Sequence, residues 1–157
     1  MIFKFFKELA REIWANFFTH YTKKISTNLK PAMNPIKLVV IEDHELMRFG
    51  IGETIKTQRN INLIGEADTA LAGLKLVKTL KPDVAIVDLI LPDLNGLELI
   101  QKLRREHPQI KIVILSAQNH EESVINAFKF GADAYCVKSC KKDKLIEAIY
   151  STIQGEV

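Results

Sequence analysis

The chain has 157 residues, 47% of them hydrophobic, and its 22 basic side chains against 19 acidic ones leave a net charge of +3, an ordinary globular composition. Its longest stretch without Asp, Glu, Lys or Arg covers residues 13–22, about half of the ~20 apolar residues a membrane helix needs, so a transmembrane span is excluded. Two cysteines, Cys136 and Cys140, are too few for a disulfide framework or a four-cysteine zinc site, and a reducing, cytoplasmic location suits them.

In chain order, residues 1–35 come first and stand apart. They hold six basic and two acidic residues, whereas the rest of the chain is slightly acidic. Apolar positions 2, 5, 6, 9, 13, 17, 18 and 21 oppose Lys4, Lys7, Glu8, Arg11 and Glu12, which predicts one amphipathic helix over 3–22. Residues 23–35, polar and with two prolines, predict a linker. For this segment the sequence leaves four readings open: a membrane-surface anchor through Trp14 and the aromatic face, a helix packed on the rest of the chain or on a second copy of it, a targeting peptide, and a translated upstream region before a true start at Met33. Glu8 and Glu12 count against the targeting peptide.

From residue 36 onward, runs rich in β-branched residues alternate with segments of helical period. Strands are predicted at 36–41, 61–66, 84–89, 110–115 and 134–137, and helices at 44–57, 69–80, 95–106, 121–130 and 142–153. Such alternation builds βα units around a parallel sheet, and three runs are apolar almost throughout, as strands covered on both faces should be. Pro82 and Pro108 follow helices they cannot continue, and Gly131 stands where a C-terminal cap belongs. The division expected is therefore 1–35, helix and linker, and 36–157, an α/β domain.

In an open parallel sheet, ligands bind beyond the carboxyl ends of the strands. Glu42 and Asp43 follow the first run, Asp88 closes the third, and Ser116 and Lys138 follow the fourth and fifth. Any one of these alone would pass as a solvated loop residue. Asp88 is harder to dismiss, because Val84 to Val87 precede it and Leu89, Ile90 and Leu91 follow, placing a carboxylate at a buried level where an unpaired charge is costly. A divalent cation would relieve both that cost and the mutual repulsion of three carboxylates. An all-oxygen donor set suits Mg²⁺ shared with a phosphate. Lys138 would then neutralise a second phosphate oxygen and the Ser116 hydroxyl donate to a third, with small Ala117 leaving room. Asp88, central in the sheet, is the candidate nucleophile and Glu42 and Asp43 the metal holders, for in-line phosphoryl transfer to a carboxylate.

Four segments carry a family resemblance: Glu42-Asp43, Asp88-Leu-Ile-Leu-Pro92-Asp-Leu-Asn-Gly96, Ser116-Ala117, and Gly131-Ala-Asp-Ala-Tyr135-Cys-Val-Lys138. In this order and spacing, and over nearly all of residues 36–154, the chain resembles the receiver domain of two-component response regulators. The resemblance implies a doubly wound, flavodoxin-like α/β sheet of five parallel strands in the order 2-1-3-4-5. It further implies phosphorylation of Asp88 by a sensor histidine kinase, with Mg²⁺ held by Glu42, Asp43, Asp88 and the backbone carbonyl of Ile90. Lys138 and Ser116 would contact the phosphoryl group. Ser116 and Tyr135 would form the switch, the tyrosine ring moving inward and altering the surface of the fourth helix, fifth strand and fifth helix. Such a domain is a phosphoacceptor that catalyses only its own phosphotransfer.

The Glu42-Asp-His44 opening and residues 131–138 are most similar to the NarL/LuxR-type subfamily, transcriptional regulators with a C-terminal helix-turn-helix. The chain stops at Val157, where the linker to that domain would begin, so DNA contact is expected only through an output domain absent from this chain. A homodimer is possible through the first and fifth helices or through the face around Tyr135.

Three other functions compete. A phosphatase of the haloacid-dehalogenase type needs Asp-x-Asp, and Ile90 stands two residues after Asp88. A nucleotide- or flavin-binding module wants Gly, Ser or Thr amides after the first strand, where Glu42 and Asp43 stand. A phosphorylation-independent pseudo-receiver, acting as an interaction module, predicts loss of the acidic cluster or the lysine, and both are present. Cys136 and Cys140 read as a core cysteine and a loop cysteine, and His20, His44, His107 and His120 form no triad or zinc motif.

Overall fold

The computed structural model describes residues 34–155. The helix expected over 3–22, and any membrane contact it makes, lie outside them. Among the described residues no helix is long and apolar enough to cross a membrane.

The strands β1 (Ile36–Ile41), β2 (Ile61–Ala67), β3 (Val84–Val87), β4 (Lys111–Ser116) and β5 (Ala134–Val137) pair in parallel in the order β2-β1-β3-β4-β5. The helices α1 (Glu45–Lys56), α2 (Ala70–Leu80), α3 (Gly96–Glu106), α4 (Glu121–Lys129) and α5 (Lys142–Gln154) follow them in turn. This is the parallel sheet of βα units expected from the alternating runs, in the doubly wound, flavodoxin-like order that the family resemblance implies.

Side-chain alternation along the strands builds two cores. Val39, Ile41, Ala85, Val87, Ile112 and Ile114 pack one face against α2 and α3, chiefly Val77, Leu99, Ile100 and Leu103. On the other face Leu38, Val40, Val84, Ile86, Val113 and Leu115 meet Ile51 and Ile55 of α1 and Leu145 and Ile149 of α5. Both faces are covered, which is why the strands carry so few polar residues.

The helix boundaries read from the sequence at 44, 69 and 95 are caps. His44, Thr69 and Asn95 accept hydrogen bonds from the N–H groups of Met47, Ala72 and Leu97, satisfying donors that the first helical turn leaves unpaired. Asp93 adds a cap from a distance, its two oxygens accepting from the N–H groups of Ala70 and Leu71 at 2.8 and 2.9 Å. The Leu71 bond above all, with that of Ala70, holds the Asp93 carboxyl below the ordinary aspartate value against the opposing cost of desolvation. At the other end of α4, Gly131 takes φ of +109°, a conformation that favours glycine.

Strand ends differ from those expected: β2 runs one residue longer, to Ala67, and β4 is shifted by one, to Lys111–Ser116. The apolar run 84–89 leaves the sheet after Val87, so Asp88 and Leu89 start the loop to α3 while Ser116, expected just after the fourth strand, belongs to β4. Cys136 is buried on β5 and Cys140 half-buried beyond it, both free thiols, as expected. Burial, with the adjacent Cys140 thiol as a smaller cause, pushes the Cys136 thiol up to about 11.

Candidate functional site

Strand order reverses between β1 and β3, whose ends lie side by side because Ile41 pairs with Val87. The next residues on each strand are Glu42 and Asp88. Glu42 still donates its N–H to the Ala67 carbonyl at 3.0 Å and Asp88 its N–H to the Ile41 carbonyl at 2.9 Å, so both emerge on backbone held by the sheet. The two residues are 1% and 3% exposed, whereas Asp43 faces solvent. Oxygens of Glu42, Asp43 and Asp88 all lie within 4.8 Å of one another.

Lys138, the first residue after β5, closes this cluster. Its ammonium donates to Glu42 Oε1 at 2.8 Å and to Asp88 Oδ2 at 2.7 Å. Burial alone would lower the lysine, but the hydrogen bonds and charges of Asp88 and Glu42 outweigh it and raise Lys138 above its ordinary value. Its backbone is fixed as well, the Lys138 N–H donating to the Ser116 carbonyl at 2.8 Å.

The remaining donors are unevenly distributed. Glu42 Oε1 accepts from the His44 N–H at 3.2 Å in addition to Lys138, whereas Oε2 is buried without a hydrogen-bond partner among the described residues. Among the described residues, Asp88 Oδ1 accepts only a long bond, 3.3 Å, from the Ile90 N–H. A buried carboxylate oxygen left bare costs free energy unless something positive meets it. With Asp43 beside it, this all-oxygen set fits a hard divalent cation such as Mg²⁺.

Ser116 is buried at the tip of β4, and its Oγ accepts from the Gln118 N–H at 3.2 Å. Tyr135, half-buried on β5, donates its hydroxyl to the Gln118 carbonyl at 2.8 Å, and Ser123 of α4 donates to the Gln118 side chain at 2.9 Å. Gln118 therefore joins the two residues expected to form a switch, and nothing in its residue type announces it. The structure brings together Glu42, Asp43, Asp88 and Lys138, sets Ser116 at the adjacent strand end, and leaves Tyr135 one loop away.

Gly96 closes the motif that begins at Asp88, and it decides how the Asp88 loop packs. It donates its N–H to the Leu89 carbonyl at 2.9 Å, and a Cβ there would strike Leu89 Cα and come within 2.6 Å of the Asp88 carbonyl oxygen. Both are backbone atoms that cannot swing aside. Gly96→Ala is expected to cost about 1–3 kcal/mol, read as a lowered urea midpoint at unchanged m. A midpoint equal to that of the parent would show that this loop yields freely.

Residues 38–150 match the model of the response regulator receiver domain. The nitrate/nitrite response regulator protein NarL of Escherichia coli K12 is 37% identical over 123 residues, which cover 78% of this chain and 57% of NarL. The response regulator protein VraR of Staphylococcus saprophyticus is 32% identical over 122 residues, covering 78% of this chain and 58% of VraR. The chain thus spans less than two thirds of the length of these relatives. Among solved structures, the signal receiver domain of a response regulator NarL from Mycobacterium tuberculosis superimposes with a TM-score of 0.75 at 27% identity, covering 78% of this chain and 99% of that one. A LuxR-family two-component response regulator from Aurantimonas sp. SI85-9A1 gives 0.74 at 26% identity, with 77% and 86% covered. With its sheet order, its acidic cluster and these relatives of NarL and LuxR type in accord, the chain belongs to the receiver domain family of two-component response regulators.

Proposed function

We propose that residues 36–157 form a phosphoacceptor switch, taking a phosphoryl group on Asp88 from a sensor histidine kinase in a Mg²⁺-dependent reaction, with residues 1–35 a separate segment. The observation that carries this reading is the buried cluster itself: two carboxylates bridged by Lys138, with Glu42 Oε2 still unpartnered. Bound by Glu42, Asp43, Asp88 and the Ile90 carbonyl, Mg²⁺ would offset negative charge on the phosphoryl oxygens.

The protein's own groups do the rest. An Asp88 carboxylate oxygen attacks phosphorus as the bond to the donor's nitrogen or oxygen breaks in line, leaving an acyl phosphate on Asp88. Lys138, already within 2.7 Å of Asp88, stays close enough to balance charge on the transferred group. Ser116 Oγ acts here as an acceptor toward Gln118, so its own proton is free to be donated to a phosphoryl oxygen. A pull on Ser116 reaches Tyr135 through Gln118, whose carbonyl holds the tyrosine hydroxyl, and so alters the face formed by α4, β5 and α5.

By analogy with its relatives, we assign the domain to the cytoplasmic control of transcription, with DNA reached through an output domain and a homodimer formed through α1 and α5 or the Tyr135 face. The test is intact mass after incubation with acetyl phosphate, with and without Mg²⁺, beside Asp88→Asn. A single phosphoryl adduct that requires Mg²⁺ and is lost in the variant is the expected result. An adduct that survives Asp88→Asn overturns the site. No adduct under any condition favours a phosphorylation-independent interaction module.

A further inference from the structure

We infer that Arg48 is a positioning residue for the cation site, acting through the backbone of the acidic loop. Its Nη1 donates to the Glu42 carbonyl at 2.7 Å and to the Asp43 carbonyl at 3.3 Å. Arg48 is half-buried on the first turn of α1, where its own N–H is committed to the His44 carbonyl at 2.9 Å. One guanidinium nitrogen, mounted on a helix, thus grips both consecutive peptide units that carry the metal-holding carboxylates.

The consequence follows from chain geometry. Fixing the carbonyls after Glu42 and Asp43 fixes the rotation of the peptide planes that follow them, and with it the His44 N–H, which donates to Glu42 Oε1. With Oε1 occupied by that N–H and by Lys138, Oε2 is the oxygen left for a cation. Arg48 is a cation beside a cation site, so its charge alone disfavours a divalent ion there. Its two effects therefore have opposite signs, and the sign of the change on removing it tells them apart.

The inference rests on the Mg²⁺ reading above. Mg²⁺ alone is titrated calorimetrically into the full chain and into Arg48→Ala and Arg48→Lys, with circular dichroism and thermal melting recorded on the same samples. Positioning predicts that Arg48→Ala binds Mg²⁺ about tenfold more weakly, as loss of an outer partner of metal ligands generally does, despite the removal of a positive charge. Arg48→Lys, which keeps the charge but lacks the planar fork, should bind more weakly than the parent too. If Arg48→Ala binds Mg²⁺ as tightly as the parent or more tightly, the inference is overturned. If Arg48→Ala fails to fold, Arg48→Lys decides by the same comparison. A parent chain that binds no Mg²⁺ overturns the metal reading itself and the inference with it, an outcome visible before any variant is compared.

Discussion

Lys138→Met is expected to destabilise the domain by about 2–4 kcal/mol without divalent cations, and Mg²⁺ should restore more stability to the variant than it adds to the parent. The first effect follows from what the ammonium leaves behind. Glu42 and Asp88 are almost wholly buried, and Lys138 is the one cation hydrogen-bonded to both among the described residues. Removing one partner of a buried ionic cluster commonly costs ~3–5 kcal/mol, because the desolvated charge stays without compensation. The lysine side chain is 18% exposed, so water shares some of that compensation and brings the expected cost down to about 2–4 kcal/mol.

The Mg²⁺ effect separates this account from simple loss of packing. A divalent ion that binds only the folded state stabilises it by mass action, and in Lys138→Met it would meet the same carboxylates without a competing ammonium. Urea denaturation in chelator and in Mg²⁺, on parent and variant, measures both terms. An equal Mg²⁺ increment in the two proteins would detach the lysine from the cation site. The Lys138→Met, Asp88→Asn double variant should lose less than the sum of the single losses, since the charge left bare by the first change is removed by the second. The sign with pH is also determined. Lys138 is raised above 10.5 in the folded state, so its contribution is complete at neutral pH and fades only as pH climbs beyond that value.

The cluster around Lys138 is legible in the amino-acid sequence because burial and charge conflict there. Asp88 interrupts an apolar run, and a parallel sheet delivers the ends of all its strands to one edge, so Glu42, Asp43, Ser116 and Lys138 have to be near it. The starts of α1, α2 and α3 are legible for a related reason, since His44, Thr69 and Asn95 each precede a helical period and can accept a backbone N–H. The point where the third run leaves the sheet is not. Hydrophobic periodicity reports burial, and Leu89 is only 7% exposed although it pairs with no strand. Gln118 and Arg48 escape because their work is done on backbone groups, which residue type does not reveal. Arg48 has one available signal, its place one helical turn after His44 and hence next to the acidic loop.

Arg104 escapes for the opposite reason: in the last turn of α3 it reads as an ordinary surface cation that complements the helix dipole. In the structure its side chain holds three segments together. Nε and Nη2 donate to the Gly131 carbonyl at 3.2 and 2.6 Å, Nη1 to the carbonyls of Pro108 and Ile110 at 2.9 and 2.8 Å, and Nη2 again to Asp133 Oδ2 at 2.7 Å. All five guanidinium N–H groups are thereby used. Asp133 Oδ2 also accepts the Ile112 N–H at 2.8 Å, so the network reaches the first residues of β4 and the turn into β5.

Arg104→Ala is expected to cost about 3 kcal/mol, because several partly buried acceptors lose their donors at once. Arg104→Lys should recover little of it, since an ammonium offers three donors from one point and cannot reach carbonyls on two loops and a carboxylate together. Urea denaturation measures both. The network sits where β4 and β5 begin, at the opposite end of the parallel strands from Asp88, so the phosphoryl-accepting capacity of the folded fraction should not change. Loss of that capacity in a folded Arg104→Ala protein would mean that the two ends of the sheet are coupled. Retained stability would mean that water replaces the guanidinium at all four acceptor residues.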